Sequence, residues 1–498
     1  MKINHIFRVF GDNILECEIF INWLQKTNFS KFQYVKEEGV VDRPIFIFKD
    51  MTNDEIFVFQ LCPFYGNVDD PIWSDLQISG FVNEKPDVLI IKVNDDGSNG
   101  EPILIIEYDD AIQAGNQAWQ RARRSVDAAK NKIPYCYVLP IIGWERSADG
   151  LSLKNPRYLS AGSVLGQLSL NSFYNCPSVQ IYKQSPWEKE AIEGKYTLPE
   201  NSSLFNDIDN GIEFVSYLIR RSVDNKSVSK PYDTLEKIFS EMINVAKTYS
   251  NFSNTQFPIH INHESFKDSN PSVLAKILSK KIIDQDLIES KLFLDNIEKQ
   301  DFFQHGALFH KDAQVKTTST RFQDLIKKIN WAPNEKAENK IRWLNEWDVK
   351  INGGNPDDII YKNLEKIPIT YKSTKSEAAL INNRKSLRQM IESTYPNLSA
   401  NILNWIYDGS KKEPVFFIPL YGYKPTGDSR PDRGIIPLLF SLFPRLLTKK
   451  NTMVIMYSKH TPTNWEEILE KDSNQLWTAI KEYCGMIIVD KTQTGVLL

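Results

Sequence analysis

The alternation of apolar and polar positions divides the chain into three stretches of different rhythm. In "DNILECEIFINWLQK" (12–26), Ile14, Cys17, Ile21 and Leu24 fall on one stripe at helical spacing, with Asp12 as candidate N-cap. Runs of strand length follow: "PIFIFK" (44–49), "EIFVFQL" (55–61), "PDVLIIKV" (86–93) and "ILIIEY" (103–108). The spacing then predicts a helix over 112–130 and another strand, "PYCYVLPII" (134–142). A helix, a meander of strands, a helix and a strand indicate an α/β core with an antiparallel middle.

From about 150 to 200 the chain turns Ser/Asn/Gly/Pro-rich, which predicts loops closing a first domain over 1–190. Between 200 and 410 the periodicity is mainly helical, as in "DTLEKIFSEMINVAK" and "KSLRQMIESTY", without a repeat of fixed period. An α/β pattern returns over 411–498: strand "PVFFIPL", helix "IIPLLFSLFPRLL", strand "NTMVIMYS", helix "NWEEILEKDSNQLWTAIKEY" and strand "GMIIVD". Those strands either form a second layer or extend the first sheet, and the region offers a recognition or partner surface.

Composition narrows the class without naming a function. The 498 residues are 41% hydrophobic and 25% charged, as in ordinary globular proteins. A net charge of −3 gives no bulk attraction for nucleic acid, so any such contact needs a local basic surface. The five cysteines are scattered, which suits a reducing compartment and excludes a zinc ribbon. With no signal-peptide pattern and no apolar run long enough to span a bilayer, the expectation is a cytoplasmic protein without membrane contact.

Chemistry concentrates in "LIIEYDDAIQAGNQAWQR" (104–121), where an apolar strand ends in Glu107, Asp109 and Asp110. On a strand, Glu107 and Asp109 share a face. Upstream, Asp87 opens its own strand, and pairing through the turn "NDDGSNGEP" sets Asp87 beside Glu107. Two carboxylates so placed repel, and one holds a proton unless a cation intervenes. A divalent Mg²⁺ or Mn²⁺ resolves the conflict and can activate water and stabilise a phosphoryl oxygen. Acids at strand ends are ordinarily solvated loop starts; the neighbouring elements make this group different.

The acid-bearing helix, the meander, Pro86-Asp87 and the strand ending in Glu107-Tyr108-Asp109 together resemble the PD-(D/E)xK nucleases, over roughly residues 10–145. The resemblance implies a restriction-endonuclease-like mixed sheet flanked by helices. It implies that Asp87 and Glu107 hold the metal, with Glu16 or Glu18 of the first helix, or Asp109, completing the shell. The family's lysine position is Asp109 here. Lys92 alternates to the opposite face from Asp87. Gln113, Gln117 and Arg121 lie at i, i+4, i+8 on the next helix, and a helical glutamine is a feature this family carries. The water-activating group stays open.

Candidate phosphate contacts are Gln113, Arg121 and Arg124, joined by Lys424, Arg430 and Arg433 of the loop "KPTGDSRPDRG" (424–434). That loop reads equally as a turn with Asp428 or Asp432 capping the next helix. The following strand offers Lys459 but Met456 where an acid is needed, so it makes no second site of this type. Trp119 reads as a core anchor. Neither "HINH" (260–263) nor "FFQHGALFH" (302–310) has zinc spacing, and no P-loop or dinucleotide fingerprint occurs.

The expected function is a metal-dependent endonuclease on DNA, with RNA as an open alternative, serving restriction or antiviral defence by analogy. The corresponding assembly is a homodimer or a partner subunit of a defence system. The alternative is an inactive nuclease-fold scaffold that binds nucleic acid. A metal-free carboxylate-pair glycosidase, which needs acids about 5–10 Å apart, is the third reading.

Overall fold

The computed structural model describes residues 3–26, 33–37, 43–50, 55–63, 85–109, 121–140, 142–146, 153–158, 161–183, 208–223, 230–249, 259–260, 275–276, 305–306, 320–322, 324–325, 385, 387–410, 415–420, 435–442, 444, 447–457, 461–471 and 475–498. It is a mixed α/β protein. The first strands are β1 (Ile3–Gly11), β2 (Gln33–Glu37), β3 (Ile45–Asp50), β4 (Glu55–Pro63), β5 (Val88–Val93), β6 (Asn99–Tyr108) and β7 (Tyr135–Pro140). After the separate hairpin of β8 (Ile142–Arg146) and β9 (Leu153–Tyr158) comes β10 (Ser178–Lys183). Eight of these make one sheet in the order β10-β7-β6-β5-β1-β4-β3-β2.

Register explains how the site assembles. β5 and β6 are antiparallel with Val88 opposite Ile106, as the alternation and the Asp/Gly/Ser/Asn turn predict. β7 runs parallel to β6, and β10 parallel to β7. Parallel neighbours need a crossover. The links are α2 (Ala122–Lys130) and α3 (Ala161–Tyr174), which follow α1 (Ile14–Gln25) in the chain.

Three expectations are corrected here. The chain begins its fold with β1, not with α1, and β1 lies inside the sheet between β4 and β5. Phe7, Val9 and Phe10 bury, while Arg8 reaches outward to Gln60 Oε1 at 3.4 Å and Asn99 Oδ1 at 2.6 Å. The N-cap of α1 is Asn13, whose side chain accepts from the Glu16 N–H, so Asp12 is left for other work. The stretch 150–200 is not all loop. It holds α3 and β10, where Val164 and Leu168 bury at helical spacing and Val179 and Ile181 at strand spacing.

Beyond β10, α4 (Ile208–Val223) and α5 (Tyr232–Tyr249) cover the sheet, and the two-residue strands β11 (Ile259–His260) and β12 (His305–Gly306) pair with each other. Much of the expected helical middle lies outside the described residues. The C-terminal strands form a second sheet: β13 (Phe416–Leu420), β14 (Thr452–Met456), β15 (Met486–Val489) and β16 (Thr494–Leu497). Its helices are α6 (Ala400–Ile406), α7 (Ile435–Leu442), α8 (Trp465–Glu470) and α9 (Gln475–Tyr483). The single helix expected over "NWEEILEKDSNQLWTAIKEY" is therefore two, α8 ending at the C-cap Lys471.

The two sheets share one continuous apolar cluster. α7 packs on α3 and α2, and Gly166 of α3 lies so close to Ser441 that a Cβ there has no room. Among the described residues no helix is long and apolar enough to cross a membrane.

Candidate carboxylate and arginine site

The predicted neighbours meet. The Asp87 N–H donates to Glu107 Oε1 at 3.3 Å, and the Tyr108 N–H donates to Asp87 Oδ2 at 2.8 Å. Asp87 is 5% exposed and Glu107 fully buried. At an effective dielectric near 20, two bare carboxylates about 4 Å apart repel by about 4 kcal/mol. The chain supplies its own cation: Arg124 Nη1 donates to Asp87 Oδ1 at 3.3 Å and also to Glu107 Oε2. Arg121 Nη1 stands 3.5 Å from the same Glu107 oxygen.

Helical spacing makes this double contact. Arg121 and Arg124 lie three positions apart, so both guanidiniums leave α2 toward the sheet. An arginine on so polar a helix reads from sequence as a solvated face, yet Ala122 to Ala129 are all buried. Arg124 was expected at a phosphate; here it closes the gap between the acids. Burial pushes Glu107 up to about 8, opposed by Arg124, with Asp87 adding to the rise and Arg121 opposing it.

On the other side of Asp87 lies a second grouping. Carboxylate oxygens of Asp12, Glu16 and Asp87 all fall within 4.8 Å of one another. Gly11 makes this possible, since a Cβ there would lie 2.9 Å from the Asp87 carbonyl oxygen, which accepts from the Asp12 N–H at 3.2 Å. Glu16, not Glu18, is the helix glutamate that joins. Burial pushes it up to about 7, with Asp87 adding to the rise. Glu16 Oε2 is buried without a hydrogen-bond partner, and Lys85 stands 3.6 Å from Asp12. Three hard oxygens and an orphaned carboxylate oxygen suit a divalent cation. Asp87 thus belongs to both groupings, whereas Glu107 faces the arginines rather than the trio.

The remaining expected site residues are dispersed. Asp109 accepts from Tyr137 Oη at 3.1 Å, and its N–H donates to the Val138 carbonyl, so it is drawn toward β7. Lys92 sits at the far end of β5 and donates to the Ser222 carbonyl at 3.1 Å. Gln113, Gln117, Trp119, Lys424, Arg430 and Arg433 lie outside the described residues. Among the described residues no histidine or cysteine grouping could hold a metal. Sequence reasoning missed Asp12 as a site residue. The available signal was the residue after Gly11, a small residue closing an apolar strand.

No protein-family model matches the chain, and no curated protein or solved structure matches it either.

Proposed function

We propose that the chain is a metal-dependent endonuclease acting on DNA, with the restriction-endonuclease-like architecture that its Pro86-Asp87 and Glu107-x-Asp109 pattern resembles. The observation that carries this reading is the convergence of Asp12, Glu16 and Asp87 beside buried Glu107. A divalent Mg²⁺ or Mn²⁺ held by Asp12, Glu16 and Asp87 would supply an acidified water and charge neutralisation at a phosphoryl oxygen. Arg121 has the geometry of a phosphate clamp, because its side chain keeps 30% exposure while touching Glu107. Arg124 bridges Asp87 and Glu107 and opposes the burial that pushes Glu107 up to about 8. Restriction or antiviral defence is the setting this chemistry suits, by analogy alone.

A second reading, a nuclease-like scaffold without activity, is favoured by two observations. Arg124 fills the space between Asp87 and Glu107, and Asp109 stands where the family has its lysine. Plasmid cleavage with Mg²⁺, Mn²⁺ or EDTA separates the readings, comparing the native chain with Asp87→Asn and Glu107→Ala. Metal-dependent nicking lost in Asp87→Asn supports the nuclease. DNA binding without nicking, or nicking that survives EDTA, overturns it.

A further inference from the structure

The far ends of β5 and β6, roughly 17 Å along β5 from Asp87 at about 3.3 Å per residue, border a cavity of about 840 Å³. Four links build it: the β5–β6 hairpin, the α2–β7 turn, the α3–β10 turn and the last turn of α4. Among the described residues, Lys92, Lys132 and Arg221 line it against one carboxylate, Glu101. Ile103, Pro134 and Leu218 supply an apolar wall.

The two lysines already serve the fold. Lys92 donates to the Ser222 carbonyl at 3.1 Å, and Lys132 donates to the Tyr174 carbonyl, both at helix C-termini. Each ammonium has three N–H donors, so two remain on each after that contact. Among the described residues neither lysine forms an ion pair with a carboxylate.

Backbone conformation adds a second observation. Among the described residues three non-glycine residues adopt left-handed φ, and two of them, Lys132 at 61° and Asn175 at 52°, wall this cavity. Glycine or asparagine ordinarily takes such a place after a helix. A lysine at Lys132 accepts backbone strain that glycine would avoid, and what it gains is an ammonium at the cavity. Strain of this kind collects where a side chain is needed.

We propose that this cavity binds a small organic phosphate, with the phosphate on Lys92, Lys132 and Arg221 and the apolar part of the ligand against Ile103, Pro134 and Leu218. The volume falls within the ~300–1,000 Å³ of small-molecule sites, and the apolar wall of Ile103, Pro134 and Leu218 suits the organic part of a phosphate ester better than a duplex backbone. The site is separate from the carboxylates and does not depend on the nuclease reading.

Isothermal titration of the full chain with adenosine monophosphate, inorganic pyrophosphate, adenosine and a duplex oligonucleotide tests it. Lys132→Asn tolerates the left-handed backbone and removes the charge; Arg221→Gln is the second variant, and circular dichroism checks that both fold. The monophosphate is expected to bind more tightly than adenosine, with a loss of about tenfold or more in each folded variant, as for charge-assisted hydrogen bonds. Asp87→Asn is expected to leave that affinity unchanged. No binding of either phosphate probe, equal binding by both variants, or a Lys132→Asn effect confined to the duplex overturns the proposal.

Discussion

Arg124 and Glu107 form a buried contact, with Arg124 Nη1 donating to an oxygen of a carboxylate that has no exposure. Because the same nitrogen also reaches Asp87, one guanidinium bridges acids at the start of β5 and the end of β6. Removing it takes that cation from Asp87 and leaves Glu107 with Arg121 alone, 3.5 Å away. Arg124→Ala is expected to cost about 3–5 kcal/mol in denaturant unfolding, the range for breaking a buried pair from one side. Adding Mn²⁺ is expected to recover part of that loss, since a divalent ion can take over the neutralisation; equal midpoints with and without Mn²⁺ would contradict this.

The turn from β1 into α1 is expected to be intolerant of a single methyl group. A Cβ on Gly11 would meet Cys17 Sγ and the Asp87 carbonyl oxygen. Gly11→Ala is expected to destabilise by about 1–3 kcal/mol, as overpacking does. By moving Asp87 away from Asp12 it also weakens Mn²⁺ binding, measured by paramagnetic resonance. Unchanged Mn²⁺ affinity in a folded variant would remove Asp12 from the site.

The junction between α2 and α9 depends on a carboxylate bridge. Glu482 Oε2 accepts from Arg123 Nη2 at 3.1 Å and its Oε1 from Lys130 Nζ at 3.1 Å. Arg123 is almost fully buried, so Glu482→Gln leaves a desolvated guanidinium with a weaker partner. The expected loss is about 1–3 kcal/mol, read from urea unfolding at neutral pH.

The same junction is expected to respond to pH. Burial pushes Asp127 up to about 7, with Glu482 adding to the rise while Arg123 and Lys130 oppose it. The folded state therefore keeps a proton that the unfolded chain, with an ordinary aspartate near 3.8, gives up. Stability from this group is full below that ordinary value and falls as pH rises toward about 7, where it levels off. Asp127→Asn is expected to flatten the fall, checked by thermal midpoints across that window. An identical slope in the variant would show that another group governs it.

Much of the site was legible from strand rhythm. Alternation through 86–93 and 103–108, with a turn-rich link, placed Asp87 beside Glu107, and β5 and β6 pair in that register. The first strand escaped notice because His5 and Arg8 interrupt its apolar run. Their polar partners, Glu55, Gln60 and Asn99, come from strands distant in sequence. The helix glutamate could not be chosen from an angular argument, since Glu16 and Glu18 flank the apolar stripe alike. The backbone path after Gly11 decides it. The contact of Arg124 with both acids was not legible either, because it depends on how the sheet and α9 cover the polar helix α2 from two directions.

That double covering limits how the protein can be dissected. A fragment cut near residue 190 would keep Arg124 over the sheet yet strip α9 and α7 from the opposite flank of α2, leaving Arg123 and Asp127 facing water. Shortened versions of the chain should therefore be judged by solubility before any loss of cleavage is attributed to chemistry.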